Sequence, residues 1–438
     1  MTLQAEPPVV PDVDLDDPAL KLASKRKSLF ASGVGNVLEW YEWSAYAVFA
    51  PFIAAAMFDK SNPVSALLAT FAVFAVGFLM RPLGGVVFGR IADRRGRKFV
   101  LVTTMLMMAG GSFAIGALPT FDQVGVWASV ILLLARMAQG FAHGGESATA
   151  YSYVGEIAPS HRRGMWGSVA FVAIFGGSVV AYSLGGVITE SLGKEGVAAW
   201  GWRIPFLLGA VLALVALYLR RSMEESEHFD AGTRETVRPP VDRKAFAKAM
   251  LLMLGMTSGI AAAHYTWTSY ISTYAITQAH MNPSTAYWMS VAAQSIALFS
   301  LPVFGYISDH VGRRPNLLVF ALLLALLQIP LTGMISHEGW TLLVAETTAL
   351  LVVSVAACIL GATLSENFPT HLRAQGIGFA YSVSVAVFGG TAPYLNQLLI
   401  SKDMGWAFNV YIIALAVATG ISALFLKETR GIALHDVR

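Results

Sequence analysis

The chain has 438 residues, of which 55% are hydrophobic and only 13% are charged, and its mean hydropathy is +0.60. A soluble domain carries about 25% charged residues, so this composition excludes an ordinary water-soluble protein and indicates a chain surrounded by lipid. The net charge of +3 is spread over the loops and gives no reason to expect a nucleic-acid partner. A single cysteine, Cys358, excludes an internal disulfide framework and a metal site built from several cysteines.

Twelve apolar runs, each about 20 residues long and so able to cross a bilayer, lie between charged or Pro- and Gly-marked turns. They predict an all-α membrane protein with two six-helix bundles, at 28–221 and 245–427. Residues 222–244 carry too many charges to span and are predicted to form a cytoplasmic linker, with cytoplasmic tails at 1–27 and 428–438. The predicted spans are 28–56, 64–90, 98–118, 125–153, 164–189, 203–221, 245–275, 286–308, 315–335, 340–363, 374–399 and 404–426.

Two acidic residues, Glu39 and Glu42, interrupt the first span near the middle of the membrane. A charge at that depth costs on the order of 3 kcal/mol or more unless it is paired or hydrated. The two residues are three apart and therefore share a helix face. We expect one or both to take up a proton at neutral pH and to couple transport to proton movement. The alternative is that they are neutral, hydrogen-bonded structural acids.

The second span contains a buried cation and ends in a motif that occurs twice. Arg81 lies roughly 18 Å before the end of this span and is a candidate to bind substrate or to pair with an acid in a neighbouring span. In both copies of the motif an Asp follows a Gly by four residues, a second Gly comes three residues later, and basic residues follow. The predicted gating residues are Gly89, Asp93, Arg94, Gly96 and Arg97 in the first copy, and Gly305, Asp309, Gly312 and Arg313 in the second.

An Asp where a helix leaves the membrane can pair with the N-terminal dipole of another helix or with an Arg, and so latch two bundles together. The alternative is a basic loop that only follows the charge rule of membrane topology. A second set of residues also recurs at equal intervals and favours an internal duplication, which is typical of two-bundle transporters. Its members are Glu156, Pro159 and Arg163 in the first half and Glu366, Pro369 and Arg373 in the second.

The fourth span carries Arg136 near mid-membrane, and the helical period places Gln139, Gly140 and His143 on the same face. A guanidinium there can bind a carboxylate through two hydrogen bonds, or hold a nearby Glu ionised until a proton or substrate arrives. A purely structural ion pair is the alternative. His143 and Glu146 are three residues apart and could form a proton relay.

The seventh span is unusually rich in polar aromatic side chains, which suit either packing or the wall of a cavity. Its candidates for substrate contact are His264, Tyr265 and Tyr270, and Tyr41 of the first span is a further one. Glu346 is placed close to the outer surface and receives no role. We assign proton coupling to Glu39, Glu42, His143 and Glu146, and substrate binding to Arg136, Gln139, Tyr41, Arg81, His264, Tyr265 and Tyr270.

Most of the 30 Lys and Arg residues fall in the tails, in the linker and in the loops of one side. The positive-inside rule therefore predicts that both termini are cytoplasmic. The sequence contains no nucleotide-binding glycine loop, no paired His or Cys spacing and no nucleophile motif. We therefore expect neither an enzyme nor an ATP-driven pump, no cofactor and no metal, and an ion gradient as the energy source.

The doubled motif resembles the signature of the major facilitator superfamily. Other stretches are similar to its metabolite:H+ symporter branch and, within it, to the α-ketoglutarate permeases, although position 42 is Glu where such relatives often have Asp. The stretches are Gly35–Trp43, Gly77–Asp93, Leu134–Gly140, Gly144–Glu146, Trp200–Phe206 and Tyr265–Tyr270.

This resemblance implies a monomeric transporter in a bacterial cytoplasmic membrane that imports a small organic anion with protons, such as a dicarboxylate. Uptake of a zwitterionic osmolyte (proline or betaine), or of another carboxylate such as citrate or shikimate, is the alternative. A channel is the least favoured interpretation, because a pore does not need the doubled latch or a buried Arg that faces acids.

Overall fold

The computed structural model describes residues 36–95, 97–144, 158–220, 243–368 and 372–432. Ten helices in this part of the chain are long and apolar enough to cross a membrane, and α1 and α6 complete the twelve spans predicted from the sequence. The helices are α1 (36–57), α2 (Pro63–Ile91), α3 (Phe99–Ala117), α4 (Val126–His143), α5 (Ser160–Ala199), α6 (Ile204–Arg220), α7 (Phe246–Thr277), α8 (Pro283–Val311), α9 (Arg313–Gly333), α10 (Gly339–Asn367), α11 (Gln375–Ile400) and α12 (Gly405–Phe425).

Most helix limits lie within a few residues of the predicted ones. The largest differences are in α5, which breaks at the non-helical Gly193 (φ 66°) after its predicted end at 189 and is followed by a short helical segment to Ala199, and in α4, whose predicted end at 153 lies outside the described residues. The predicted tails at 1–27 and most of the linker at 222–244 also lie outside them. The division into two bundles with a linker stays a prediction for those segments.

Several helices are interrupted where they meet the centre of the molecule. The helix of α2 breaks at Met80, because Pro82 cannot donate a helical hydrogen bond. Thr266–Tyr270 in α7 and Val385–Gly389 in α11 form π-helical turns, which occur mostly as short bulges in helices and often at functional sites. The break in α2 directly precedes Arg81, and the π turn of α7 directly follows His264 and Tyr265.

Close packing of α2 against α4 fixes the position of the buried cations. A Cβ atom at Gly140 would lie only 1.8 Å from the carbonyl oxygen of Gly77, and one at Gly144 would lie 1.9 Å from that of Arg81. Only glycine allows this approach. The backbone of Arg81 is therefore held against Gly144, which follows His143 and lies two turns from Arg136 on the same face of α4.

Candidate functional site

A hydrogen-bonded chain joins the fourth helix to the first. Arg136 is fully buried, and its Nη1 donates to Oε1 of Gln139 at 2.9 Å. The amide nitrogen of Gln139 donates to Oε2 of Glu42 at 3.2 Å and to the hydroxyl of Ser112 at 2.8 Å. The predicted common face of Arg136 and Gln139 is confirmed, and Gln139 bridges the cation to the acid. No pattern in the sequence indicated Ser112.

Aromatic rings surround the Arg136 guanidinium. Its Cζ lies 4.2 Å from the ring centroid of Trp43 and 4.2 Å from that of Tyr46, so both rings stabilise the positive charge. Its Nε and Nη2 atoms have no hydrogen-bond partner. Two donors of this buried cation are therefore left for a ligand or for water.

The other acid of α1 meets the next turn of α4. Oε1 of Glu39 contacts Nδ1 of His143, and the rings of Trp40 and Trp43 lie edge-on to the imidazole at 5.6 and 5.9 Å. Two acids three residues apart on α1 thus reach two partners four residues apart on α4. The predicted relay partner Glu146 lies outside the described residues, and the structure brings His143 to Glu39.

Arg81 is the second buried cation and is 2% exposed. Its Cζ lies 3.7 Å from the ring of Phe78, 4.3 Å from that of Trp43 and 5.4 Å from that of Trp40. The hydroxyl of Tyr265 approaches the guanidinium from the other bundle. None of the three guanidinium nitrogens reaches hydrogen-bond geometry, and neither does the Tyr265 hydroxyl. The Glu39 carboxylate and the Tyr381 hydroxyl also act on this charge electrostatically. No direct bond neutralises the cation, and such a buried charge is costly unless a ligand compensates it.

A small cavity of about 10 Å³, room for about one water molecule, lies between the bundles beside this cation. Its polar wall comes from Thr257, His264 and Tyr265 of α7 and Tyr381 of α11, and Nδ1 of His264 has no hydrogen-bond partner. The remaining lining residues are Trp40, Phe171, Ile174, Ile260, Ala261, Leu360 and Val385.

Five of the seven predicted substrate residues do not line this cavity: Arg81, Arg136, Gln139, Tyr41 and Tyr270. The Tyr41 hydroxyl donates to the carbonyl oxygen of Pro205 at 2.8 Å, so the side chain faces α6. The Tyr270 hydroxyl donates to Oε1 of Gln397 at 2.8 Å. Both side chains are engaged in contacts between helices, and Trp40 and Tyr381 line the cavity although neither was predicted to do so.

The second copy of the doubled motif does join two helices of different halves. Oδ1 and Oδ2 of Asp309, at the end of α8, accept the backbone N–H groups of Gly164 and Met165 in the first turn of α5, at 2.7 and 2.9 Å. Nη1 of Arg313 donates to the same carboxylate at 2.9 Å. A Cβ atom at Gly305 would lie 2.8 Å from the carbonyl oxygen of Gly164, and Gly312 has a φ of 112°, which favours glycine.

A larger ion-pair network surrounds this contact. Glu366 accepts two hydrogen bonds from Arg313, at 3.2 and 3.0 Å, one from Arg163 at 3.0 Å and one from the Thr429 hydroxyl at 2.6 Å. Glu428 accepts the backbone N–H of Arg313 at 2.9 Å. We call Arg163, Asp309, Arg313, Glu366 and Thr429 the ion-pair network; it ties both halves to the segment after α12.

The first copy of the motif is described only in part. Arg94 is exposed and Gly89 has open space around it. The helical segment Arg81–Arg95, which includes the second part of α2, contacts the first part of α11. The side chains of Asp93 and Arg97, and Gly96 as a whole, lie outside the described residues, so their predicted gating role stays a prediction.

Glu346 received no role from the sequence, which placed it close to the outer surface of the membrane. It is fully buried among the helices, where Ser290 and Gln294 of α8 donate to its carboxylate. An apolar run shows the depth of a residue but not whether polar side chains of another helix face it. Among the described residues, no group of three or more His, Cys, Asp or Glu side chains could hold a metal ion.

The chain matches the family model of the Major Facilitator Superfamily over residues 33–393. This protein belongs to the major facilitator superfamily. It is 35% identical over 417 residues to the alpha-ketoglutarate permease of Escherichia coli (strain K12), which covers 94% of this chain and 96% of that relative. It is 32% identical over 419 residues to the proline/betaine transporter of the same strain, covering 92% of this chain and 84% of the relative.

The fold of this superfamily member is also found in a solved structure. The proton:xylose symporter XylE bound to 6-bromo-6-deoxy-D-glucose has a TM-score of 0.74 and 17% sequence identity, with 95% of this chain and 99% of that chain covered. The protein is therefore a multi-pass secondary transporter of the membrane, and its relatives are transporters rather than enzymes.

Proposed function

We propose that this major facilitator superfamily member is a proton-coupled symporter that imports a small organic acid, a dicarboxylate such as α-ketoglutarate, into a bacterial cell. The observation that carries the proposal is Arg81, a fully buried guanidinium with no hydrogen-bond partner beside the cavity between the bundles. The permease among its relatives has α-ketoglutarate in its name.

The charges around the cavity favour an anionic ligand. Arg81 and Arg136 are both buried and together leave five guanidinium nitrogens without hydrogen bonds, three on Arg81 and two on Arg136. Glu42 is already bonded by Gln139, and Glu39 contacts His143. A carboxylate can accept two parallel bonds from one guanidinium. A dicarboxylate would offer a second carboxylate to donors such as Tyr265.

Glu39 and Glu42 support the proton-coupling part of the proposal. Glu39 contacts His143 directly, and Glu42 is linked to Arg136 through Gln139. Both carboxyl groups are largely shielded from solvent. Proton uptake by either acid would weaken its hold on His143 or Gln139 and leave Arg136 to the substrate. Substrate and proton would then load together, which is what symport requires.

The ion-pair network supports alternating access. It joins α5 of the first half to α8 and α10 of the second, so it must break before the substrate can leave on that side. The sequence predicts that this side is cytoplasmic, with both termini on it. We propose import by separation of the bundles at this network after the loaded carrier closes on the other face.

Uptake of a zwitterionic osmolyte is the second candidate. The rings of Trp40, Trp43 and Phe78, which now surround Arg81, could also bind a quaternary ammonium group through cation–π contacts. The proline/betaine transporters among the relatives agree with this alternative. Two cations already in the site disfavour it, because a ligand ammonium group would be repelled.

Uptake into proteoliposomes with an imposed proton gradient tests the proposal. The panel is α-ketoglutarate, succinate, citrate, shikimate, proline and betaine, each with the gradient and with a protonophore. We expect saturable, gradient-driven uptake of a dicarboxylate that the protonophore abolishes. Uptake of betaine without any dicarboxylate signal would overturn the substrate class, and uptake that ignores the gradient would overturn the coupling.

A further inference from the structure

A carboxyl group in the second half has no part in the site described above. Glu346 of α10 is 0% exposed. Its Oε2 accepts the hydroxyl of Ser290 at 2.6 Å and its Oε1 accepts the amide of Gln294 at 3.1 Å. Both donors are neutral, and Oε1 of Gln294 has no hydrogen-bond partner of its own.

The groups that face this carboxyl do not balance a negative charge. The phenol of Tyr182 in α5 interacts with it, and Tyr287 lies one turn from Ser290 on α8. Among the described residues of the helices packed against α10, the basic and acidic side chains lie toward the helix ends, apart from His264 halfway along α7. They are Asp309 and His310 of α8, Arg313 and Arg314 of α9, His161, Arg162, Arg163, Glu190, Lys194 and Glu195 of α5, and Lys248 of α7, with Lys244 just before it.

An ionised carboxylate held by two neutral donors at this depth is unfavourable, because burial of a charge without a counter-ion costs several kcal/mol by order of magnitude. Glu346 therefore carries a proton while it is enclosed as in this structure. It can lose that proton only when water reaches it, and water reaches it only when the helices around it separate.

The same helices hold the bundles together away from the ion-pair network. The Tyr182 hydroxyl of α5 donates to the carbonyl oxygen of Thr268 at 2.9 Å and lies 2.8 Å from the Ser272 hydroxyl, both on α7. The Tyr287 hydroxyl of α8 donates to the carbonyl oxygen of Val48 in α1 at 2.8 Å. We call these the tyrosine contacts; they join the two halves beside Glu346.

We propose that Glu346 is a proton-binding site of the second bundle, and that its protonation favours the state in which the tyrosine contacts are closed. The proton comes from water on the face where those contacts open, and it returns there when they open again. The inference rests on the proposed proton-coupled function, but it concerns a group separate from Glu39, Glu42 and the substrate cations.

Distance measurements between spin labels test this without substrate. The labels replace Ser61 and Lys402, which are exposed on loops of different halves, in a Cys358→Ser background that also carries Glu39→Gln and Glu42→Gln. We expect the short distance to dominate at low pH and a longer distance to gain population as the pH rises. With Glu346→Gln added, the short distance should persist at every pH. Glu338→Gln, an exposed acid at the start of α10, is the matched control and should leave the pH dependence unchanged.

Ser290→Ala provides a second test if Glu346→Gln fails to fold. It removes a donor to the charged form, so the midpoint of the distance change should move about one unit to higher pH. A distance distribution that does not respond to pH, or one that responds equally with and without Glu346→Gln, would overturn the proposal. If sodium at constant pH changes the distance distribution and Glu346→Gln abolishes that change, the proposal would also be overturned. The site would then be assigned to sodium. All these outcomes are independent of which substrate is transported.

Discussion

At the residue scale, two acids with nearly the same depth have different partners. Glu39 contacts an imidazole, which can take or release a proton, whereas Glu42 is bonded by the amide of Gln139, which cannot. A proton can therefore reside on Glu39 or on His143 and move between them, because the two side chains are in direct contact. Glu42 can change charge only by exchange with water or substrate.

This difference predicts the behaviour of Glu39→Gln. Uphill accumulation should be abolished, while counterflow exchange of substrate should partly survive, because exchange needs no net proton movement. Accumulation and counterflow in proteoliposomes measure both. Glu195→Gln, at an exposed position of α5, is the control. Undiminished accumulation in Glu39→Gln would transfer the coupling role to Glu42.

Arg136→Lys tests the anion site. A lysine cannot reproduce the paired donors of a guanidinium, and it would also lose the bond to Gln139. We expect binding of α-ketoglutarate to weaken at least tenfold, about 1.4 kcal/mol. Calorimetry on the purified protein measures this, and two buffers of different ionisation enthalpy report proton uptake on binding. Binding should strengthen as the pH falls from about 8 toward 6, if a protonated acid belongs to the loaded carrier.

Arg203→Lys is the matched control for that experiment. Arg203 lies at the start of α6 and donates to the carbonyl oxygen of Leu118 at 2.8 Å, a single bond that lysine can also make. The affinity of Arg203→Lys for α-ketoglutarate should stay within about twofold of that of the parent protein. A weakened affinity in both variants would indicate a general loss of structure rather than loss of a carboxylate site.

Helical periodicity predicted the part of the site that lies within one bundle. Arg136, Gln139 and His143 follow from a period of 3.6 on α4, and Glu39 and Glu42 follow from their spacing on α1. The period did not show that Tyr41 faces α6, because an apolar helix gives no contrast between its sides. The approach of Tyr265 and Tyr381 to Arg81 depends on how the two bundles meet, which no local pattern contains.

At the element scale, the breaks in the helices are the feature that the sequence does not reveal. Pro82 marks the interruption of α2, but the π turns of α7 and α11 have no Pro, and residues such as Thr266 and Trp267 are compatible with a regular helix. The hydropathy pattern predicts where a helix crosses the membrane. It does not register one extra residue in a turn.

The contact of α8 with the start of α5 gives a prediction at this scale. Asp309→Asn keeps the size of the side chain but removes the charge that accepts two backbone N–H groups and an arginine, a change of about 1–2 kcal/mol in that contact. Substrate affinity should stay within a few fold while turnover slows, because the balance between the two open states shifts.

Hydrogen exchange at Gly164 and Met165 measures the loosened contact directly, and the rate of uptake at saturating substrate measures turnover. Asp403→Asn, at an exposed loop position before α12, is the control. Equal exchange protection in Asp309→Asn and in the parent would show that the carboxylate does not hold the two helices together.

At the scale of the whole molecule, the bundles are joined by different chemistry at two places. The ion-pair network combines Glu366 and Asp309 with two arginines, whereas the tyrosine contacts are neutral hydrogen bonds. Charged contacts respond to the charge of the cargo and to salt, and neutral ones respond to local packing. A carrier that closes the ion-pair network while it opens the tyrosine contacts, or the reverse, can therefore be controlled separately at each of them.

The segment after α12 belongs to the charged side of this arrangement, because the Thr429 hydroxyl donates to Glu366 at 2.6 Å. Thr429→Val removes that donor with little change in shape, at a cost of about 1.5–3 kcal/mol for a bond to a charged group. The state in which the ion-pair network is open should gain population by about tenfold or more. Spin labels that replace Arg162 and Lys248, exposed positions of different halves, should then report a longer distance.

Thr103→Val, whose exposed hydroxyl bonds within α3, is the control. An unchanged distance distribution in Thr429→Val would show that α5, α8 and α10 hold the network without the segment after α12.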